Sequence, residues 1–259
     1  MKKHYSTNLS DEQWGAICWV VLPAPTERGR PRKWPLRTLV DAILYLTRAG
    51  CAWRLLPGDF PPWQTVYGYF ARWSELGLWD RLVALLRSLA RLWFGRNALP
   101  SAAIMDSQAV RCGRQKGVRG YDAAHFTWGR KRQMLTDTVG WPLEVEVTGG
   151  DLQDRSAAWR FLPGWLERFE SPCATSGWTK AARASPWPGP SRPWRWSLSE
   201  RPRARRAFRF SPSAGRSKPP GARAFNGRRL RSDCEEKLLH SRAFLLAAFS
   251  GLLLHKLCH

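Results

Sequence analysis

A chain of 259 residues, 44% hydrophobic and 12% aromatic, has material for one large domain or two modest ones with real cores, which excludes disorder throughout. Its 42 Lys and Arg against 20 Asp and Glu leave a net charge of +22, so the surface seeks a polyanion, either nucleic acid or an acidic membrane. MKKHYSTN is basic, but no apolar core follows before Asp11 and Glu12, so no secretory leader is expected and the chain should stay inside the cell. The longest apolar stretch, Ala243 to Leu254, falls short of the roughly 20 residues of a membrane span, so no transmembrane helix and no membrane partner are expected. Six cysteines lie far apart without a C-x-x-C pair, which predicts free, buried thiols.

Ser10 and Gln13 form a capping box ahead of Trp14, Ile17, Cys18 and Val21, which predicts a first helix to about Leu22. Leu36, Leu39, Val40, Ile43 and Leu44 share one face of a second helix ending at Gly50. Pro61 and Pro62 open a third, with Trp63, Val66, Tyr67, Phe70 and Trp73 as its stripe and Gly77 as its stop. A fourth carries Leu78, Leu82, Leu85, Leu86 and Leu89. Short helices with Gly and Pro punctuation, and a basic lead-in of Arg28, Arg30, Arg32, Lys33 and Arg37, suggest a helix-turn-helix module. The competing reading is a helical bundle whose aromatic stripe is core, with the basic run a solvated loop; the net charge favours DNA.

Residues Ala102 to Val110 read as a buried strand with one carboxylate, Asp106, set into it. Gln133 to Thr138 and Trp141 to Thr148 read as a hairpin turning at Val139 and Gly140, with Leu143, Val145 and Val147 alternating against Glu144 and Glu146. Asp151 or Asp154 then caps an amphipathic helix bearing Ala157, Trp159, Phe161, Leu162, Trp165, Leu166 and Phe169.

LSDEQW, GRPRKWPLRTLVDAILYLTRAGCAWRLLP, FPPWQTVYGYFARW, IMDSQAV, VRGYDAAHFTWGRKRQMLTDTVGWPLEVEVTGG and DLQDR, in this order over residues 9 to 170, resemble the bacterial insertion-sequence transposases of family five. The resemblance resumes from about Ala222. It implies a helix-turn-helix domain at 1–97 and the first half of a ribonuclease-H-like DDE catalytic domain at 98–171, with Asp106 on the family's first catalytic and metal-binding aspartate. It also implies two Mg²⁺ ions roughly 3.5–4 Å apart that activate water and then a 3′-hydroxyl. The implied partner is double-stranded DNA at the element's terminal repeats, bound in the cytoplasm at the nucleoid, and a homodimer is compatible with this. The basic lead-in, with Arg130, Lys131 and Arg132 of GRKRQ, supplies the expected DNA contacts.

Residues 172–221 depart from the family. They hold 9 Pro, 8 Ser, 9 Arg and 4 Trp but one Leu, no Val, no Ile and no Met, which cannot build a core. Their only acid is Glu200, so the family's second aspartate and its glutamate have no counterpart. Shifted back by one base, Ala174 to Ala181 can restore H-V-W-L-D-K-G, and Ala207 to Gly221 can restore L-P-V-L-P-K-R-W-S-V-E-T-T-W. The segment 172–226 is therefore expected to be an out-of-frame, disordered insert; a genuine basic linker is the alternative.

After it, residues 227–259 should form a C-terminal helix capped by Ser241, apolar at Phe244, Leu245, Ala248, Leu252 and Leu253, lying on the catalytic sheet. Asp233, Glu235 and Glu236 read as helix-dipole partners rather than metal ligands. The histidines (4, 125, 240, 255 and 259) show no i, i+4 pairing with acids and read as surface or packing residues. The whole reads as an N-terminal helical domain followed by an incomplete ribonuclease-H-like mixed α/β domain. Function is then expected to be that of a transposase retaining Asp106 alone and catalytically inactive; the alternative is a non-catalytic DNA-binding module competing for element ends.

Overall fold

A computed structural model describes residues 4–21, 32–113, 116–169, 207–210 and 227–258. At the start, Ser10 N–H donates to Gln13 Oε1 at 3.0 Å and Gln13 N–H to Ser10 Oγ at 3.1 Å, closing the capping box that opens α1 (Asp11–Val21). Helix α2 (Leu36–Ala49) buries all five residues of its expected stripe. It stops at Gly50, left-handed at φ 70°, whose N–H reaches Leu46 O at 2.9 Å. A Cβ on Gly50 would lie 2.7 Å from Arg228 Cβ, so the glycine also admits a distant part of the chain.

A 3-10 turn (Trp53–Leu55) leads to α3 (Trp63–Glu75), where Val66, Phe70 and Trp73 are buried. Leu76 and Gly77 form the short turn into α4 (Leu78–Trp93). The buried face of α4 differs from the leucine stripe expected: Leu89 is exposed, while Trp79, Val83, Arg87, Ala90 and Arg91 are inside. The cause is electrostatic anchoring to the sheet. Arg91 Nη1 meets Asp137 Oδ2 at 2.5 Å, and Arg87 Nη1 donates to Pro142 O at 2.9 Å.

The sheet is built around β3 (Thr127–Asp137). Strand β1 (Ala102–Arg111) runs antiparallel along one edge, Asp106 opposite Met134. On the other edge β2 (Gly120–Asp122) pairs with the start of β3, and β4 (Pro142–Gly149) pairs with the rest. The hairpin turn falls where expected, with Gly140 at φ 90° and Asp137 Oδ1 accepting from Val139 N–H and Trp141 N–H at 2.9 Å each. Strand β3 begins six residues earlier than the sequence suggests, because GRKR is strand interior rather than polar linker. A register irregularity at Leu135/Thr136 breaks the alternation expected in β4, sending Leu143 and Val145 to different hydrophobic clusters. Asp154 opens α5 (Asp154–Phe169).

Strand β5 (Ala207–Phe210) runs parallel to β1, from Ala102↔Ala207 to Met105↔Phe210. These four residues lie inside the segment expected to lack regular structure, so that expectation fails for them. The free backbone edge of β1 can pair with any extended chain, whatever its side chains. The rest of 172–226 lies outside the described residues, as do the restored acid positions.

A 3-10 turn (Arg228–Leu230) precedes α6 (Leu238–Leu257). Ser241 is not its cap: the helix starts at Leu238, and Ser241 Oγ donates to Asp233 Oδ2. Nor does α6 lie mainly on the sheet. Phe244, Leu245, Phe249 and Leu253 enter the cluster formed by α1 to α4, with the Phe244 and Phe70 rings 4.5 Å apart, and the sheet adds Met134, Trp141 and Val145. A helix buried nearly all round carries no narrow stripe for sequence to reveal. At 20 residues α6 is long and apolar enough to cross a membrane, but 61% of its most apolar window is buried in the fold, as in an interior helix. The opposite sheet face packs Met105, Leu135 and Leu143 against Ala157 and Trp165 of α5. Cys18, Cys51, Cys112, Cys234 and Cys258 are free but none is fully buried, and Cys234 is exposed.

Candidate active site

Asp106 sits mid-strand in β1, one residue past the last β1–β5 pair. It is half-buried, and Ser107 N–H donates to its Oδ1 at 2.9 Å. Burial pushes its carboxyl above the usual range; the Ser107 N–H opposes the shift and the negative charge of Asp154 adds to it.

Asp154 belongs to a chain of alternating charge. Its Oδ1 lies 3.3 Å from Lys131 Nζ, which lies 3.3 Å from Asp122 Oδ2 on the other side. Asp122 Oδ2 in turn meets His125 Nδ1 at 2.7 Å. Burial pushes the Asp122 carboxyl up, but His125, Lys131 and the Ala124 N–H together hold it below the ordinary value. His125 therefore does pair with an acid, three residues away rather than four. Sequence reasoning missed this network, which joins a strand lysine to acids at the end of β2 and the start of α5. Gln133, wholly buried opposite Ser107 and Glu146, was also missed.

A pair of Mg²⁺ ions needs several carboxylates converging on one point. Among the described residues no group of three or more His, Cys, Asp or Glu is placed to hold a metal. The acid acting on Asp106, Asp154, is already compensated by Lys131. The described residues do not supply the ligand set.

The basic residues divide. Arg28 and Arg30 lie outside the described residues. Arg32 and Lys33 are exposed. Arg37 ties α2 to the start of α1, its Nη1 2.5 Å from Asp11 Oδ1 and its Nη2 2.5 Å from Leu9 O.

Arg130, Lys131 and Arg132 correct the expectation of DNA contact, since all three are buried. Arg130 donates to Val118 O at 2.8 Å, Asp233 Oδ1 at 3.0 Å, Glu235 O at 2.7 Å and Glu236 O at 2.8 Å. Arg132 donates to Leu230 O at 2.9 Å, and burial lowers its pKa to about 10. Asp233 and Glu235 are likewise interior ion-pair partners rather than helix-dipole residues, Glu235 taking Arg229 Nε at 2.9 Å.

Comparison with known proteins accords with this layout. Residues 9–83 match the family described as transposase of IS4/5 family (DUF4096), and residues 97–174 match the transposase DDE domain. The chain is similar to the protein y4sN of Sinorhizobium fredii, at 34% identity over 84 residues, covering 32% of this chain and 66% of that one. It is also similar to the 16.2 kDa protein of insertion element IS402 from Burkholderia cepacia, at 31% identity over 119 residues, covering 42% of this chain and 78% of that one. No solved structure matches. The helical region followed by a mixed sheet and helix region, the two family matches in that order and the coverage of the IS402 protein lead to one conclusion: the chain belongs to the IS4/5 family of DDE transposases.

Proposed function

We propose that this chain binds the terminal repeats of its insertion sequence as duplex DNA and does not cut them. The observation that carries this reading is Asp106: it is seated in β1 inside the DDE match, yet the acid acting on it is committed to Lys131. The sequence supports the second half, since the DDE match ends at residue 174 and residues 172–221 contain the single acid Glu200. An out-of-frame stretch accounts for that loss. Arg32 and Lys33, with Arg28 and Arg30, form the basic lead-in to DNA, and α3, its short turn and α4 are the helix-turn-helix candidate.

The test of catalysis is nicking of a labelled terminal-repeat duplex in Mg²⁺ or Mn²⁺ by this chain, its Asp106→Ala variant and a gene with the one-base shifts corrected. The first two should be equally silent and the third active. Cleavage by the unaltered chain that vanishes in Asp106→Ala would overturn the silent reading and point to Asp154 as its companion. The test of binding is a salt titration on the same duplex, where displaced counterions make affinity fall steeply. It uses the full chain, because α6 supplies part of the core of α1 to α4.

A further inference from the structure

The turn between β2 and β3 displays aromatic rings that packing does not use. Phe126 is 81% exposed, Trp128 63% and Tyr121 43%. Tyr121 and Trp128 are cross-strand partners with ring centroids 5.8 Å apart, forming one open aromatic surface. The turn beneath is firmly held: Asp122 Oδ1 accepts from Ala124 N–H at 3.0 Å, its Oδ2 meets His125 and Lys131, and Thr127 Oγ1 donates to His125 O at 2.8 Å. Phe126 at the tip has φ 49°, a left-handed conformation costly for a bulky residue.

Charge selects the occupant. Lys116 and Arg119 are exposed in the stretch of chain that runs into Tyr121, and the one acid between residues 111 and 128, Asp122, is buried and paired. Flat rings on a cationic stretch match an unpaired nucleic-acid base, which offers a π face for stacking and a phosphate on either side.

We propose that Tyr121, Phe126 and Trp128 form a stacking platform for an unpaired DNA base. This rests on the DNA-binding reading above and adds to it a preference for opened or distorted DNA. The experiment compares the full chain's affinity for a blunt duplex and for the same duplex with a short central gap carrying 2-aminopurine, whose fluorescence is quenched by stacking.

The expected result is a preference of about five- to tenfold for the gapped probe, with quenching. Both should be lost in Trp128→Ala and largely retained in Trp128→Phe. Equal affinity for the two probes, or a preference and quenching that survive Trp128→Ala, would overturn the platform while leaving duplex binding intact. Failure to bind either probe would overturn the DNA-binding reading and the platform with it.

Discussion

Two stretches of β3 invert the usual partition of residues. At its start Trp128, with Phe126 just before it, puts aromatic surface into water, whereas two residues further on Arg130, Lys131 and Arg132 are buried. The difference lies in what each stretch faces. The arginines lie under residues 227–236, which offer Asp233 and the carbonyls of Leu230, Glu235 and Glu236 to them, while the aromatics have no cover among the described residues. A buried cation is tolerable when acceptors and an opposite charge face it, and the partners here come from about a hundred residues away. The cation cluster is thus a clasp that fastens the C-terminal segment to the sheet.

The largest effect should come from breaking the clasp. Arg130→Met leaves Asp233 buried without its cation and strands the carbonyls of Val118, Glu235 and Glu236, at a cost of about 3–5 kcal/mol measured by urea unfolding of the full chain. A loss below about 1 kcal/mol would mean that the cluster opens to water without consequence.

Asp41 sharpens the contrast, because it is a buried carboxylate without such a clasp. Its Oδ1 takes Leu9 N–H at 2.8 Å, but burial outweighs this bond and the charge of Arg37, lifting its pKa from 3.8 to about 6. The folded chain therefore holds the proton more tightly than the unfolded one, so stability present below the unfolded value is lost as pH rises through that window. Asp41→Asn keeps the acceptor and removes the dependence. It should stabilise the chain by about 1–3 kcal/mol at neutral pH, seen as a flattened profile of denaturation midpoint against pH.

Gly50→Ala tests the clasp from the helical side. The left-handed φ of 70° and the 2.7 Å approach to Arg228 Cβ should together cost about 1–2 kcal/mol in thermal or urea unfolding. The smallest effect belongs to the aromatic turn: Phe126→Gly frees a left-handed residue that is almost wholly exposed, and should be neutral or stabilising by about 0.5–1 kcal/mol. Destabilisation beyond about 1 kcal/mol would show that the Phe126 ring is used in packing after all.

Local chemistry was legible wherever the information lay within a few residues. The capping box at Ser10 and Gln13, the stop at Gly50, the turn at Val139 and Gly140 and the stripe of α2 were all readable, because hydrogen bonds three or four residues apart decide them. Asp106 could be picked out as a carboxylate within an apolar strand. Its companions could not, since Asp154, Lys131 and Asp122 come together only when α5, β3 and β2 are folded side by side.

Sequence alone determined the helices and the strands β1 and β4, since backbone hydrogen bonding and the periods of 3.6 and 2 residues are properties of the local chain, whereas β2, the start of β3 and β5 exist only through the strand edges they pair with. The motif order likewise carried the family. Only tertiary structure decided which side chains face inward. Charge is read as surface until a distant partner is known, so Arg130, Lys131 and Arg132 passed for DNA contacts although each is enclosed. The same holds for α6, whose place among four helices rather than on the sheet follows from which apolar surfaces remained to be covered once the chain had closed. Burial is a property of pairs of surfaces, and one strand of sequence contains only one member of each pair.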